Sequence, residues 1–223
     1  MKNTHKNGNN CDLDVAVRER LLETAAESFA EKGFDGTSVR DITAGANCNV
    51  ASVNYYFGGK ENLYTEVWRH HLLLLRDSQI AGIEKVMSKQ DLPRLEDLLE
   101  SFAETFIGSL VDENRSSRLL KLMMREMLDN RLPADMFANE VVKPTLGAME
   151  KALLRTCPGL DGSQVALIVF SIVGQLIHAV RVRTMFGQNA GAELLGFDLA
   201  ETVDHIVKFS AAGIRAYAGE KTR

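Results

Sequence analysis

Helical periodicity with few interruptions is the feature that most limits how this chain can fold. Apolar side chains recur three or four residues apart along most of it, as between Leu63 and Leu75, and no segment shows the alternation of a half-buried strand. Only four prolines occur in 223 residues, and proline is the residue that most often ends or kinks a helix. The pattern predicts an all-α protein.

The composition narrows the class of protein further. Hydrophobic residues make up 45% of the chain and charged residues 25%, as in an ordinary globular protein with a core. The formal net charge is −4, so the overall positive charge of many nucleic-acid-binding proteins is absent. Any contact with DNA would depend on helix N-termini and a few well-placed lysines.

The cysteine spacing, the polar N-terminus and the length of the longest apolar run predict a cytoplasmic protein. Cys11, Cys48 and Cys157 are widely separated, so no paired spacing indicates a metal site or a disulfide framework. The N-terminus lacks the apolar stretch of a signal peptide. The longest apolar run, 165–180, contains four small or polar interruptions and is shorter than a membrane span, so we expect a buried helix and no membrane partner.

Two short helices in the first part of the chain predict a DNA-reading unit. A polar tail over residues 1–14 is expected to be disordered, and a three-helix domain is expected over 15–60. Its second and third helices, 38–46 and 50–57, are joined by a tight turn, as in a helix-turn-helix. The larger remainder, 61–223, is predicted to be helical throughout.

The third helix of this domain has the side chains that are suited to contact DNA. Asn49 is a plausible N-cap, and Val50, Val53 and Phe57 are expected on the inner side. The remaining residues of this helix, Ala51, Ser52, Asn54 and Tyr55, are expected to face outward, and Tyr56 is expected at the edge of the outward face. An Asn amide suits the base edge of adenine, and tyrosine hydroxyls can donate to phosphate. Lys60 adds a charge at the start of the next helix.

The stretch GFDGTSVRDITAGANCNVASVNYYFGGKENLY resembles the N-terminal DNA-binding domain of tetracycline-repressor-like (TetR family) transcriptional regulators. The resemblance covers about residues 15–67. It implies phosphate contacts from Thr37, Ser38, Arg40 and Lys60, and it places Asn49, Ala51, Ser52, Asn54, Tyr55 and Tyr56 on the recognition helix. Asn54 stands where many members have Tyr, and Tyr56 where many have His. The resemblance therefore does not imply a base preference.

The resemblance also implies a role for residues 61–223 as an effector-binding and dimerisation domain. It implies a homodimer through the helices 163–186 and 198–218, and a pocket for a small-molecule effector. Candidates for the pocket lining are Phe102, Phe106, Met123, Met127, Phe137, Met149, Phe170 and His178. Met-rich surfaces adapt to apolar ligands, although Met and Phe at helical spacing are more often ordinary core. The implied function is a ligand-responsive repressor that leaves a near-palindromic double-stranded DNA operator when its effector binds.

Two other classes of function remain open at this point. A helical dimeric interaction or sensor module that does not bind DNA would have the same periodicity. An enzyme on a helical scaffold is the second alternative, but the sequence contains no nucleophile motif, glycine-rich phosphate loop or metal-ligand spacing. We therefore expect neither catalysis nor a cofactor.

Overall fold

The computed structural model describes residues 7–89, 91–111, 116–186 and 198–219, and it contains no strand among them. In chain order the helices are α1 (Asn7–Lys32), α2 (Val39–Gly45), α3 (Ala51–Phe57), α4 (Lys60–Met87), α5 (Leu95–Val111), α6 (Ser116–Asp129), α7 (Ala134–Phe137), a π-helical segment (Ala138–Val142), α8 (Lys143–Thr156), a 3-10 turn (Gly162–Gln164), α9 (Val165–Phe186) and α10 (Leu199–Tyr217). The predicted all-α fold is confirmed.

Several helix ends follow from the sequence. The Ser38 hydroxyl accepts the N–H three residues on and begins α2. Asp198 and Glu201 form a reciprocal capping box that begins α10. Gly33 and Gly58, each with a φ of +75°, follow the ends of α1 and α3, because glycine adopts this left-handed conformation without a steric penalty.

Three boundaries differ from the prediction. α1 begins at Asn7, so residues 7–14 of the expected tail are helical, and residues 1–6 lie outside the described residues. Extending an existing helix costs far less than starting one, so a polar sequence can continue it. The sequence alone predicts Ser163 as the cap of the helix that follows it, but Asp161 supplies the cap before α9. It also predicts a bend at Pro144, whereas the structure has a π-helical segment that ends two residues before this proline.

The chain divides into two compact units. Described residues within 1–72 and 114–133 form the first unit, and those within 73–113 and 134–223 form the second. The sequence predicts a boundary between the two domains after residue 60, whereas the structure assigns α6 to the first unit, because α6 packs along α1. Periodicity alone cannot show which distant helix covers an apolar face.

An aromatic cluster lies in the core of the first unit. The rings of Phe29 and Phe34 each meet the ring of Tyr64 edge-on, with centroids 5.0 and 5.2 Å apart, and Trp68 continues the cluster along α4. Edge-to-face contacts of this kind stabilise a core beyond the area that they bury. The cluster fixes the loop after α1 against the beginning of α4.

Polar contacts attach α6 to the same core. The Arg125 guanidinium donates to the carbonyl oxygens of Ala30 and Glu31 at 3.1 and 2.6 Å, and it thereby satisfies acceptors at the end of α1. Glu126 accepts a hydrogen bond from the Tyr64 hydroxyl at 2.8 Å. Burial, together with this bond, raises the pKa of Tyr64. α6 is therefore held at both α1 and α4.

In the second unit α5, α8, α9 and α10 pack around one core. α9 was expected to be buried, but its outer face is exposed, with Leu167 at 66% and Phe170 at 56% accessibility. Residues 162–185 form the one helix among the described residues that could cross a membrane by length and composition, and a third of its apolar 18-residue window is buried. The core helix of a globular protein can have the same length and composition.

Candidate DNA-binding surface

α3 is held against the first unit by a narrow apolar face. Val53 is fully buried and Phe57 nearly so, and the Arg18 guanidinium lies 5.2 Å from the centroid of the Phe57 ring. Val50, expected on the inner side, is instead 50% exposed. Val50 immediately precedes α3, so helical spacing predicted a longer buried face than the structure has.

The predicted N-cap is present. Asn49 Oδ1 accepts from the Ala51 N–H at 2.9 Å, and the Asn49 carbonyl oxygen accepts from the Ser52 N–H. Val50 already has helical backbone angles, so Asn49 occupies the capping position. These bonds use two of the N–H groups at the helix N-terminus, and a phosphate there would compete with the Asn49 side chain for one of them.

The outward side chains form one exposed surface. Ala51, Asn54 and Tyr55 are exposed, and Ser52 and Tyr56 are half-buried; Tyr55 is 78% accessible. The rings of Tyr55 and Tyr56 meet edge-on with their centroids 4.8 Å apart. The exposed amide and phenol therefore project side by side from α3, which is the arrangement that the sequence predicts.

Tyr56 has a partner that sequence reasoning missed. Its hydroxyl donates to Asp14 Oδ1 at 2.8 Å. This hydrogen bond to a carboxylate raises the pKa of Tyr56 to about 12, with smaller contributions from burial and from the charge of Asp14. Asp14 lies in the segment expected to be a tail, so nothing in the sequence pattern brings the two together.

The phosphate contacts predicted at Thr37, Ser38 and Arg40 differ in their exposure to solvent. Ser38 and Arg40 are exposed. Thr37 is 1% accessible, and its hydroxyl donates to the carbonyl oxygens of Gly33 and Ser28 at 2.7 and 3.0 Å. The phosphate role predicted for Thr37 is therefore wrong, because the hydroxyl is already used to close the turn between α1 and α2.

Two cations approach the ring of Phe34. Lys60 Nζ lies 4.2 Å and Arg131 Cζ 4.6 Å from its centroid, within the range in which a cation is attracted to an aromatic ring. Lys60 is half-buried, so its stem is held while its ammonium stays close to the surface. Sequence reasoning identified Lys60 and missed Arg131, which lies far away in the chain.

Arg20 stabilises the turn between α2 and α3. Its guanidinium donates to the Ala46 carbonyl oxygen at 3.3 Å and lies 3.9 Å from Cys48 Sγ. The Cys48 thiol in turn donates to the same carbonyl. The carbonyl belongs to the end of α2, where helical partners are missing, so α1 contributes directly to the geometry of the helix-turn-helix.

The candidate pocket residues do not form one buried set. Phe102, Phe106 and Met149 are buried in the second unit. Phe137 and Phe170 are 42% and 56% exposed. His178 is exposed on α9. Met123 and Met127 lie on α6 of the first unit, and Met127 is 71% exposed. The lining role stays a prediction for all eight, because helical spacing identifies an apolar face but not what covers it.

Two family profiles match the chain. Residues 21–67 match the profile described as bacterial regulatory proteins of the tetR family. Residues 95–214, more than half of the chain, match the C-terminal domain of the HTH-type transcriptional dual regulator CecR. The chain is a TetR-family transcriptional regulator. Membership in a family of DNA-binding transcription regulators excludes the enzyme alternative.

Relatives by sequence match this TetR-family regulator over a short segment. It is 45% identical to the HTH-type transcriptional regulator YttP of Bacillus subtilis over 51 residues, which is 23% of this chain and 25% of YttP. It is 35% identical over 48 residues to IcaR of Staphylococcus epidermidis, the negative transcriptional regulator of the biofilm operon icaADBC, covering 22% of this chain and 26% of IcaR. These matches span about a quarter of each relative.

Solved structures share the fold of the regulator along most of its length. A TetR-family transcriptional regulator from Mesorhizobium loti superposes with a TM-score of 0.66 at 21% identity, covering 90% of this chain and 97% of the other. The fatty acid degradation regulator FadR from Bacillus halodurans superposes with a TM-score of 0.64 at 18% identity, covering 88% of this chain and 99% of the other. At these identities the likeness shows the fold.

Proposed function

We propose that this regulator is a cytoplasmic repressor that binds a near-palindromic operator as a homodimer and leaves it when a small molecule binds. The observation that carries the proposal is α3, which buries Val53 and Phe57 while it exposes Asn54 and Tyr55. An amide and a phenol on the outer side of a recognition helix suit the edges of bases in the major groove. The similarity to IcaR, a negative regulator, supports repression.

The roles proposed for single residues follow from their exposure. The residues proposed to enter or border the groove are Asn49, Ala51, Ser52, Asn54, Tyr55 and Tyr56, and those proposed to contact phosphate are Ser38, Arg40 and Lys60. Contacts to phosphate position a protein on the duplex, whereas contacts to base edges select the sequence. Asn54 is accordingly the residue proposed to contribute most to sequence selection.

The exposed face of α9 and α10 supports the homodimer. Leu167 and Phe170 on α9 and Phe209 and Tyr217 on α10 are each more than half exposed, and the two helices pack on each other within the second unit. A face of large apolar side chains is typical of a protein–protein interface. A dimer carries two copies of α3, one for each half of a near-palindromic operator.

An effector site is proposed within the core of the second unit. Phe102, Phe106 and Met149 are its buried apolar residues among the candidates, and Thr145 has a buried hydroxyl without a hydrogen-bond partner. A ligand can release DNA only if it binds the two conformations of the protein unequally. We expect mass spectrometry of cell extracts passed over the immobilised regulator to identify a retained compound that lowers operator affinity.

The test of DNA binding measures affinity against salt. Fluorescence anisotropy with the DNA upstream of the regulator's own gene should give tight binding that weakens steeply with salt, because each phosphate contact releases counterions. Lys60→Ala should lower affinity and salt slope together. Lys151→Ala, which removes an exposed lysine of the second unit, should change neither. An unchanged slope in Lys60→Ala would contradict the phosphate role.

The alternative without DNA binding makes the opposite prediction. A helical dimeric interaction or sensor module would remain dimeric and would show no salt-dependent affinity for any genomic fragment. Selecting bound fragments from genomic DNA at low salt therefore separates the two functions, and the genes beside the selected fragments would indicate the effector.

A further inference from the structure

The two cations at the Phe34 ring, Lys60 and Arg131, are far apart in the sequence of the first unit. Phe34 lies in the loop between α1 and α2, Lys60 begins α4, and Arg131 lies in the loop after α6. Each charged group is within 5 Å of the centroid of the same ring. Neither the helix-turn-helix pattern nor the matched N-terminal profile, residues 21–67, includes Arg131.

Arg131 is fixed by the structure around it. Its Nη2 donates to Asp35 Oδ2 at 2.5 Å, and Glu126 accepts the N–H of the adjacent Leu132 at 2.6 Å. Glu126 is in turn bonded to Tyr64 of the aromatic core. The loop after α6 is therefore attached to the same core that positions the beginning of α4.

The arrangement leaves positive charge facing solvent. The Arg131 side chain is 37% accessible, and a guanidinium has five N–H donors, so one bond to Asp35 leaves donors for another acceptor. Among the described residues Lys60 makes no hydrogen bond or ion pair. Both charges lie close to the same ring, so an anion that contacts both would be attracted by each of them.

We infer that Arg131 is a further DNA-phosphate contact, and that with Lys60 and the Phe34 ring it forms a two-cation site for the DNA backbone. The loop that carries both Phe34 and Asp35 leads directly into Ser38, which is exposed at the start of α2. The site therefore borders the surface proposed to meet the duplex. Arginine suits it, because its planar group can bond two phosphate oxygens at once.

The test rests on the proposed DNA binding. It measures how the affinity of the Arg131→Gln variant for operator DNA depends on salt concentration. Each lost phosphate contact lowers the salt slope by about 0.9, so two copies in a dimer should lower it by about 2. The loss should be equal on operator and unrelated DNA, because phosphate carries no sequence information. Arg94→Gln is the matched control, since it removes an exposed arginine paired with Asp97 in the second unit.

A second variant separates direct contact from an effect through Lys60. In a Lys60→Gln background, Arg131→Gln should still lower the slope by the same amount. If the effect disappears there, Arg131 only positions Lys60 and the inference is overturned. An unchanged slope in the single variant, with normal operator binding by the wild type, also overturns it. A wild type that ignores DNA would instead overturn the proposed function. Equal melting temperatures would confirm that both variants fold.

Discussion

At the scale of single residues, the amide of Asn54 is the side chain on which sequence selection most depends. It is exposed on α3 and lies one turn from the Asn49 cap. Asn54→Ala should lower affinity for the operator more than affinity for unrelated DNA, by about 1–3 kcal/mol for a bidentate contact to adenine. Competition anisotropy with both kinds of DNA measures this difference. An equal loss on both would contradict a base-reading role.

Asp14 sets the ionisation of a recognition-helix tyrosine. Its hydrogen bond raises the pKa of Tyr56 from 10.0 to about 12, so the neutral phenol is favoured in the folded state. The resulting stabilisation is fully present below pH 10 and is lost as the pH rises towards 12. Asp14→Asn should lower the pKa of Tyr56 towards 10, and an NMR titration of labelled tyrosine would measure it. The wild-type protein, titrated in the same way, is the reference.

At the scale of helices, the end of α3 depends on the backbone conformation of Gly58. Its φ of +75° is unfavourable for any residue with a Cβ, so Gly58→Ala should lower the free energy of unfolding by roughly 1–2 kcal/mol. Gly108→Ala is the matched control within α5. Open space surrounds its position, so it should raise stability by up to about 1 kcal/mol through helix propensity. Denaturant titrations at one protein concentration compare the two, and a stabilised Gly58→Ala would contradict this account.

Local chemistry explains which helix ends could be predicted. From the sequence alone, Asp198 with Glu201 three residues on predicts a capping box, and Gly33 and Gly58 predict helix ends; the structure has each of them. The predictions for Thr37 and Val50 were wrong because the burial of each side chain depends on tertiary contacts. The Thr37 hydroxyl is buried where it closes a turn, and Val50 is exposed because no neighbouring helix buries it. Asp14 and Arg131 were missed for the same reason, since each meets its partner only after the chain folds.

At the scale of the whole molecule, the exposed face of α9 and α10 determines the proposed oligomeric state. Phe209→Glu and Leu167→Glu each place a charge on that face, where burying it without a partner is costly. We expect both variants to be largely monomeric by light scattering and to bind the operator much more weakly. Leu92→Glu is the control, because Leu92 is 56% exposed but lies before α5. A dimer that survives both substitutions would place the interface elsewhere.

The division into units has a consequence for any attempt to exchange parts between regulators. Residues 116–133 belong to the first unit, although the described residues between 73 and 111 belong to the second. A chimera that transplants residues 1–72 alone would expose the apolar side of α1 and lose the Arg125 bonds at its end. The smallest piece that can be moved intact is therefore discontinuous in the gene, and a productive crossover has to carry α6 along with the reading helices.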